Sequence, residues 1–277
     1  MSFKAAAVQM EIKQDCIGEN LARAEKFIKR ASGLGAQLVV LPELLPTGSL
    51  RAFRDKKEFM DSEKNYLSYF QQLARKYSVS IVPGSWMEID KRGCYNTAYY
   101  IDSSGKIRSK YRKTNLWITE RRYAAAGNEF SVFNTAFGKV GLVLCWDLIF
   151  PEIFRRMAKR GVDIVICPSY WTSSADCKIK EHDRETEARM VDSLCAARTF
   201  ENNIILIYCN AAGIVKSANG KTDHLIGHTQ IVMPLKGAVK KLDDNKEDII
   251  LQEMDTSILK KAELLYKVRA DLKKRIF

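Results

Sequence analysis

The sequence predicts an α/β fold, because short apolar runs with strand character alternate with longer amphipathic stretches along the chain. A second observation is that the order of strands and helices predicted for the first half is repeated in the second half. A third is that two pairs of apolar runs are separated by tight turns, which is typical of antiparallel hairpins. Together these patterns indicate a mixed sheet architecture with helices packed on it.

The first half supplies strands and helices in turn. FKAAAVQM, AQLVVLPE and VSIVPGSW have the composition of strands, and NLARAEKFIKRASGLG and NYLSYFQQLARKYS between them have helical spacing. Residues 95–113 then predict a hairpin that turns at Ser104–Gly105. Residues 130–147 predict a similar pair that turns at Gly138.

The second half repeats this order. A helix is predicted to begin at Pro151, since proline suits the first helical turn. A strand VDIVICPSY, a long helix over residues 180–201 and a strand NIILIYCNAAG follow. After a polar loop over residues 215–223, GHTQIVMP and DIILQEMD read as strands. No run of Gly, Pro and Ser reads as a linker, so we expect one domain over residues 1–277.

The C-terminal residues 256–277 predict one charged amphipathic helix. Its apolar side chains at near-helical spacing are Ile258, Leu264, Leu265, Val268, Leu272 and Ile276. Such a stripe could lie on a membrane surface, but packing against its own protein or a second subunit is the commoner use. We therefore expect this helix to pack on the protein or on a partner subunit.

Composition excludes several classes of protein. With 277 residues, of which 46% are hydrophobic, the chain is too apolar to be mainly disordered. It has no uninterrupted apolar run of about 18 residues, the length of a membrane span. Its N-terminus leads directly into a strand without a signal-like segment. We therefore expect a cytoplasmic protein that does not bind membranes.

Cysteine and histidine patterns predict neither disulfides nor a metal. The seven cysteines are odd in number, scattered and without a CxxC pair, which favours a reducing compartment. The three histidines, His182, His224 and His228, do not form a cluster with cysteines or carboxylates at ligand spacing. No metal and no other cofactor is expected.

The formal net charge of +12 raises the question of nucleic-acid binding. The basic residues are spread along the chain and interleaved with acidic ones, and no recognisable nucleic-acid reader motif accompanies them. A solvated basic surface explains the charge better than a specific nucleic-acid site.

Three segments carry reactive side chains where a strand ends and a loop begins. They are VVLPELLPTG with Glu43, YRKTNLWITE with Lys113 and Glu120, and GLVLCWDLIFPE with Cys145. Strand ends are where α/β folds build their sites. Between a buried strand and a helix beginning at Pro151, Cys145 is predicted to lie on a sharp turn whose N–H groups can face an oxyanion.

A cysteine nucleophile needs a base, because its thiolate is the reactive form. All three histidines follow Cys145 in polar segments, so a Cys–His pair has no motif behind it. A desolvated carboxylate can take the thiol proton instead, and a lysine can stabilise the charge that forms on the substrate oxygen. The same residues have other readings: a core cysteine, a helix-start carboxylate at Glu43, a solvated Lys113, and a salt bridge from Glu120 to Arg121 or Arg122.

The order of these residues in LPELLPTG, YRKTNLW and CWDLIFPE resembles the nitrilase superfamily of carbon-nitrogen hydrolases. AAGNEFSVF, GVDIVICPSYW, ARTFENNIILIYCNAAG and GHTQIVMPLKG extend the resemblance over nearly the whole chain. The resemblance implies a four-layer α-β-β-α sandwich, no cofactor, and a homodimer or larger homo-oligomer. It also implies that Glu43 is the general base, Lys113 the oxyanion-stabilising cation, Cys145 the nucleophile and Glu120 a second active-site carboxylate.

Further residues are predicted to bind substrate. The backbone N–H of Trp146 is the expected second oxyanion donor, and Trp171 is a candidate for the pocket wall, as are Trp117 and Tyr170. Arg198 and Glu201 read better as a structural ion pair. Residues 49–61 and 171–180 follow site strands and depart most from the family wording, so we expect substrate specificity there.

The family pattern is not matched everywhere. Asn115 stands where histidine is frequent, and Ile118–Thr119 replace the usual Phe-Pro, which suggests an altered pocket shape. The motif CWD differs by one methylene from the CWE of true nitrilases, which favours a small amide as substrate. A nitrile or an N-carbamoyl (ureido) substrate remains open. The rival class is a non-catalytic oligomeric binding protein, against which the presence of all four polar site residues argues.

Overall fold

The computed structural model describes residues 2–48, 62–174, 184–216 and 222–274. Strands of the first half are β1 (Ser2–Gln9), β2 (Leu38–Val40), β3 (Ser80–Val82), β4 (Ser85–Asp90), β5 (Gly93–Ile101) and β6 (Ile107–Arg112). Those of the second half are β7 (Ser131–Thr135), β8 (Gly138–Leu142), β9 (Ile164–Ser169), β10 (Thr172–Ser174), β11 (Ile205–Asn210), β12 (Ile214–Lys216), β13 (Thr222–Leu225), β14 (Gln230–Met233), β15 (Gly237–Lys241) and β16 (Asp248–Asp255). The α-helices are α1 (Ile17–Gly33), α2 (Ser62–Tyr77), α3 (Pro151–Lys159), α4 (Arg184–Asn202), α5 (Ser257–Tyr266) and α6 (Val268–Lys274).

The strands form two large mixed sheets of similar construction. One has the order β16-β1-β2-β3-β5-β4, with β6 also paired to β5, and the other has the order β15-β14-β11-β9-β8-β7. In each sheet two consecutive pairings are parallel, β1-β2-β3 and β8-β9-β11, and the flanking pairings are antiparallel. The two alike halves and the mixed sheet predicted from the sequence are confirmed. Strands β10, β13 and β12 make a small third sheet.

The period of two along a strand determines which layer each side chain joins. On β1, Ala5 and Ala7 join the core between the two sheets, whereas Ala6 and Val8 join the core under α1 and α2. Residues of β2 and β3 alternate in the same way. Because both faces of these strands are covered, residues 5–8 of β1, 38–40 of β2 and 81–82 of β3 are all apolar rather than alternating with polar residues. The layers are therefore helix, sheet, sheet and helix.

Helices α3 and α4 cover the outer face of the second sheet. Phe154 and Met157 of α3 and Val191 and Cys195 of α4 are buried in the core that also contains β8, β9 and β11. Gly141 on β8 allows this approach, since a Cβ there would lie 2.7 Å from the sulfur of Met157. The helix predicted to begin at Pro151 is confirmed, as is the described part of the helix predicted over residues 180–201.

The single strand predicted over VSIVPGSW is wrong. Pro83 and Gly84 separate β3 from β4, and Gly84 has a φ of +76°. A Cβ on Gly84 would lie 1.8 Å from the carbonyl oxygen of Pro42, so only glycine permits this approach. The bend therefore packs against the residue that precedes Glu43.

The polar loop and the C-terminal helix predicted from the sequence both differ from the structure. The polar loop predicted over residues 215–223 is wrong at both ends, because Val215 of β12 pairs with Asp223 of β13. Likewise, the tail is two helices rather than one, since Lys267 has a φ of +53° and ends α5. The Glu263 carboxylate accepts hydrogen bonds from the first turn of α6, at 3.0 Å from Arg269 N and 2.9 Å from Ala270 N. This cap stabilises the new helix start.

The apolar stripe predicted for the tail is only partly buried. Ile258 and Leu272 pack into the protein, whereas Leu264 and Leu265 are 81% and 65% exposed. Because Leu264 and Leu265 lie on α5 and Leu272 lies on α6 beyond the break at Lys267, the tail does not present one continuous buried stripe. Among the described residues, none of the helices is both long and apolar enough to cross a membrane.

Candidate active site

The ends of three strands bring the predicted site residues together. Glu43 lies just beyond β2, Lys113 directly follows β6, and Cys145 lies just beyond β8. Lys113 Nζ is 2.9 Å from Glu43 Oε1, and the Cys145 thiol and the Glu43 carboxylate lie close enough for each to shift the pKa of the other. Side chains from both large sheets therefore meet at one place.

Cys145 sits on a sharp turn, as its sequence context predicts. Its φ is +44°, an uncommon conformation for a residue with a Cβ, and a 3₁₀ turn over Cys145–Ile149 follows. The turn leads into α3 at Pro151. The first N–H groups of a helical turn have no carbonyl acceptor within that turn. The N–H of Trp146 is one of these groups in the 3₁₀ turn, and it directly follows Cys145 in the chain.

Asp147 fixes this turn to the loop that carries Lys113. Its Oδ2 accepts hydrogen bonds from Leu144 N at 2.9 Å and Tyr111 OH at 2.7 Å. Its Oδ1 accepts from Thr114 Oγ1 at 3.1 Å and from Asn115 N at 2.9 Å. Asp147 is completely buried, and burial raises the pKa of its carboxyl although these donors oppose the rise. Because both oxygens of Asp147 accept hydrogen bonds from protein groups, this third residue of the CWD motif holds the loop after Lys113 in position.

Lys113 is 2% exposed and is held by its backbone and its side chain. Its N–H donates to Asn96 O at 2.8 Å, and its carbonyl accepts from Gly127 N at 2.8 Å. Burial by itself lowers the pKa of the ammonium, but the negative charges of Glu43 and Glu120 outweigh burial and hold the pKa well above its usual value. Lys113 is therefore a permanently charged buried cation, not a solvated one.

Glu120 begins a 3₁₀ turn over Glu120–Arg122 and uses both carboxylate oxygens. Its Oε2 accepts from Lys113 Nζ at 2.7 Å and Trp117 N at 2.7 Å, and its Oε1 accepts from Asn96 Nδ2 at 3.0 Å. The alternative salt bridge to the neighbouring arginines is not the arrangement observed, since Arg121 Nε donates to Leu116 O. The carboxylate is instead part of the Lys113 environment.

Asn96 is the site residue that sequence reasoning missed. Its Nδ2 donates to Glu43 Oε1 at 2.8 Å as well as to Glu120. The available signal was the polar pair Asn96–Thr97 inside YNTAYY, a strand segment that is otherwise apolar. Both residues are completely buried, and a buried polar group inside a strand requires partners that the sequence does not reveal.

The Cys145 thiol and the Glu43 carboxylate share a desolvated environment. Burial raises the pKa of the thiol well above its ordinary value of 9.0, and the charge of Glu43 adds to this rise while Lys113 opposes it. Burial also raises the pKa of Glu43 above 4.5, against the opposing charge of Lys113. Such groups titrate as a pair that holds one proton over a wide pH range.

Three tryptophans line the same region. The ring centroid of Trp146 is 4.2 Å from that of Trp117 and 5.4 Å from that of Trp171. Tyr170 lies close enough for its backbone N–H to lower the pKa of the Cys145 thiol, which brings this aromatic wall next to the thiol. Trp171 Nε1 donates to the Glu187 carboxylate at 2.7 Å, a neighbour on α4 that the sequence did not indicate. The predicted residues Trp146 and Trp171 therefore lie together.

The chain is similar to known proteins in both sequence and structure. A model of the carbon-nitrogen hydrolase family matches residues 4–262. This chain belongs to the carbon-nitrogen hydrolase family. The resemblance to the nitrilase superfamily that the sequence motifs carry is therefore confirmed.

Relatives of this hydrolase include proteins named for both amide and nitrile chemistry. A probable nitrilase of Schizosaccharomyces pombe is 30% identical, with 92% of this chain and 89% of that protein covered. A 2-oxoglutaramate amidase of Bacillus subtilis is 29% identical, with 92% of each covered. Among solved structures, a carbon-nitrogen hydrolase from Helicobacter pylori has a TM-score of 0.90 at 23% identity and covers 98% of this chain and 95% of its own. The predicted α/β sandwich is confirmed.

Arg198 of the hydrolase binds the backbone of the turn that carries Cys145. Its Nε donates to Leu148 O at 3.0 Å, one guanidinium nitrogen donates to Ile149 O at 2.8 Å, and another pairs with Glu201 at 2.9 Å. The structural ion pair predicted for Arg198 and Glu201 is confirmed. The two segments expected to hold specificity, residues 49–61 and 171–180, lie outside the described residues except for residues 171–174.

Proposed function

We propose that this carbon-nitrogen hydrolase is an amidase that releases ammonia from a small amide, with Cys145 as nucleophile, Glu43 as general base and Lys113 as oxyanion stabiliser. The observation that carries the proposal is the contact of one buried ammonium with two carboxylates, at 2.9 and 2.7 Å, beside a buried thiol. A thiol, a base and a fixed cation are the groups that acyl transfer requires.

In the first step, the Cys145 sulfur attacks the amide carbon while its proton passes to Glu43. The raised pKa of the Glu43 carboxyl suits this role, because the base must hold the proton and later return it. Negative charge then develops on the substrate oxygen. Lys113 Nζ, which gives two of its three N–H groups to carboxylates, has one left for that oxygen, and the N–H of Trp146 is the second donor.

In the second step, the tetrahedral intermediate collapses. The carbon–nitrogen bond breaks, Glu43 returns its proton to the leaving nitrogen, and ammonia departs from a thioester on Cys145. A water molecule then attacks the thioester carbon, giving one proton to Glu43. Collapse of the second intermediate breaks the carbon–sulfur bond, returns the proton to sulfur and releases the carboxylic acid. No cofactor takes part in this cycle.

Glu120 is assigned to support rather than to proton transfer. Three N–H donors already occupy its two oxygens, so neither oxygen is left to accept the proton of the thiol. By contrast, Glu43 Oε1 takes both Asn96 and Lys113, which leaves Oε2 for the thiol. This difference in hydrogen bonding assigns the base to Glu43.

The amide class is favoured by the B. subtilis relative, which is named a 2-oxoglutaramate amidase and matches along 92% of both chains. Nitrile and N-carbamoyl substrates are the alternatives within the same chemistry, since thiolate attack on carbon is common to all three. Trp117, Trp146 and Trp171 are proposed to form the pocket wall that excludes water around the reacting carbon.

The test is ammonia release from small amides, ω-amides of dicarboxylic acids, ureido acids and nitriles, using the wild type beside Cys145→Ala. Activity on amides that disappears in the variant supports the proposal, and activity confined to nitriles or ureido acids reassigns the subclass. Silence across the panel, together with alkylation of Cys145 by iodoacetamide no faster than that of a simple thiol, indicates the non-catalytic binding protein instead.

We also propose that the enzyme is a homo-oligomer that associates through α4 and α5. Leu264 and Leu265 are 81% and 65% exposed, and Phe200 on α4 stacks edge-to-face with Tyr266 at a centroid distance of 5.1 Å. Both rings are about half exposed in the single chain. Large apolar side chains grouped in this way on a surface favour burial against a second copy.

A further inference from the structure

Asn96 occupies the interior of β5 and joins two parts of the site through both its backbone and its side chain. Its carbonyl accepts the hydrogen bond of Lys113 N at 2.8 Å, which continues the pairing of β5 with β6 beyond the end of β6. Its side chain donates to Glu43 and Glu120. Asn96 therefore contacts the backbone of the lysine and both of the carboxylates that hold the lysine's ammonium.

The orientation of the Asn96 amide shows that it serves as a donor. Within the described part of the chain, Asn96 Oδ1 is buried without a hydrogen-bond partner, whereas Nδ2 has two. A flipped amide would place the carbonyl oxygen against two carboxylates. The buried Oδ1 is tolerated because the two charge-assisted bonds of Nδ2 are the stronger interactions.

The hydrogen bonds of Asn96 and Lys113 use one oxygen of Glu43 and both oxygens of Glu120. Glu43 Oε1 accepts from Asn96 Nδ2 at 2.8 Å and from Lys113 Nζ at 2.9 Å. A proton from the thiol is then received on Oε2. Glu120 accepts Asn96 on Oε1 and Lys113 on Oε2. The amide thus closes a ring of hydrogen bonds that holds both carboxylates against the ammonium.

We propose that Asn96 is a positioning residue of the reaction, whose side-chain amide fixes Glu43 and Glu120 around Lys113 so that Glu43 presents one oxygen to the Cys145 thiol. This inference rests on the proposed function. The charged and titratable groups that face Glu43 are Lys113 after β6, Glu120 in its 3₁₀ turn and Cys145 after β8. Asn96 is the neutral member of this group.

The role of Asn96 has a consequence for pH dependence. Hydrogen bonds donated to a carboxylate stabilise its charged form and lower its pKa. Removing the amide therefore raises the pH at which the Glu43 carboxyl loses its proton. The pair of Glu43 and Cys145 then reaches its active state, with one proton between them, only at higher pH. The acidic limb of the activity profile moves in the same direction.

Two variants test this role: Asn96→Ala, which removes the amide, and Asn96→Asp, which keeps the shape and cannot donate two hydrogen bonds. We expect kcat to fall about 100-fold and KM to change less than about threefold in both. In Asn96→Ala the acidic limb of kcat/KM should rise by about one pH unit. Asn203→Ala is the matched control, since Asn203 is buried and bonded to Leu259 O at 3.0 Å, far from these groups in the fold.

Alkylation of Cys145 by iodoacetamide, followed by mass spectrometry over the same pH range, gives a readout that needs no substrate. A shift of its acidic limb in Asn96→Ala but not in Asn203→Ala supports the proposal even if every substrate in the panel fails, in which case only the amidase assignment is lost. Unchanged limbs in Asn96→Ala, with a loss of thermal stability alone, overturn it. If Asn96→Ala does not fold, the isosteric Asn96→Asp decides: wild-type kcat and alkylation rates contradict the role.

Discussion

Asp147 Oδ1 accepts hydrogen bonds from both the backbone N and the side-chain Nδ2 of Asn115, each at 2.9 Å. Asp147 belongs to the turn that carries Cys145, and Asn115 belongs to the loop after Lys113. The departure at Asn115 from the family wording therefore affects a contact between two site loops, whereas the sequence suggested an effect on pocket shape. This contact leads to the first prediction.

Replacing Asp147 by Asn should disturb both loops. Both carboxylate oxygens of Asp147 accept hydrogen bonds from N–H or O–H groups. The asparagine side chain can replace one of these oxygens, but in either orientation its NH₂ group faces hydrogen-bond donors. We expect a loss of about 2–3 kcal/mol in the free energy of unfolding and a fall of about 100-fold in kcat. Denaturant unfolding and ammonia release measure the two effects.

Asn115→Ala is the control for this prediction, because it removes one of the donors and leaves the backbone N–H of residue 115 in place. It should cost about 1 kcal/mol of stability, with a smaller effect on kcat. If Asp147→Asn unfolds like the wild type and keeps its activity, Asp147 does not join the two loops energetically.

The pH profile of the wild type should have a shifted acidic limb. Burial raises the pKa of Glu43 above 4.5 and that of the Cys145 thiol well above 9.0. The active state has one proton on the pair, so it forms as pH rises through the raised pKa of Glu43 and is lost only above that of the thiol. We expect kcat/KM to increase with pH from a midpoint above 4.5 and to show no thiol-dependent fall below 9.0.

Glu43→Gln provides the comparison for this profile. Glutamine cannot accept and return the proton, so the residual activity should be low and should lack the acidic limb. A wild-type limb that persists in the glutamine variant would assign the titration to another group. The Lys113 ammonium does not contribute, because its pKa lies well above 10.5.

The conformation of Cys145 predicts an unusual order of stability among its variants. At a φ of +44°, an alanine retains the steric cost of a Cβ, which glycine avoids. Cys145→Gly should therefore be at least as stable as Cys145→Ala, by up to about 1 kcal/mol in its favour. Thermal unfolding of both proteins measures this difference.

The corresponding comparison in a regular helix is Ala158 of α3 against Ala158→Gly. There glycine should cost about 1 kcal/mol, the usual penalty within a helix. A glycine penalty of the same sign and size at both positions would show that the turn at Cys145 is not strained.

Substitution of Gly84 should affect both stability and activity. A Cβ at this position would lie 1.8 Å from Pro42 O and 2.7 Å from its carbonyl carbon, and these backbone atoms cannot move without shifting Glu43. Gly84→Ala should cost about 3 kcal/mol or more and lower kcat together with it. Gly33→Ala is the matched control, because nothing lies within 4 Å of a Cβ there.

The sequence predicted which residues lie at neighbouring strand ends better than it predicted element boundaries. Glu43, Lys113 and Cys145 could be placed at strand ends because apolar runs of strand length precede each of them. Asn96 could not be found in this way, since its partners are 53 and 24 residues away along the chain. The pairing of β5 with β6, together with the order β2-β3-β5 in the same sheet, brings its amide between the two carboxylates.

The tail shows the same limit. Apolar residues at helical spacing predict a helix over residues 256–277, but the break at Lys267 depends on the capping of α6 by Glu263. Arg269 then binds Val162 O at 2.6 Å and Asn203 O at 2.7 Å, which docks α6 on the second sheet side of the protein. Local periodicity contains no information about these long-range acceptors.

The exposed end of α5 leads to the last prediction. Leu264 and Leu265 are 81% and 65% exposed in the single chain, and burying either side chain in an interface would contribute about 2 kcal/mol to association. The double substitution Leu264→Lys and Leu265→Lys should therefore weaken association and convert the oligomer to monomers. Sedimentation velocity over a range of concentrations measures this change, and circular dichroism verifies that the fold is kept.

Ile214→Lys is the matched control, because Ile214 is likewise exposed, at 57%, but lies on β12, away from α4 and α5. A wild-type chain that sediments as a monomer at all concentrations contradicts the interface, as does a double variant that stays associated.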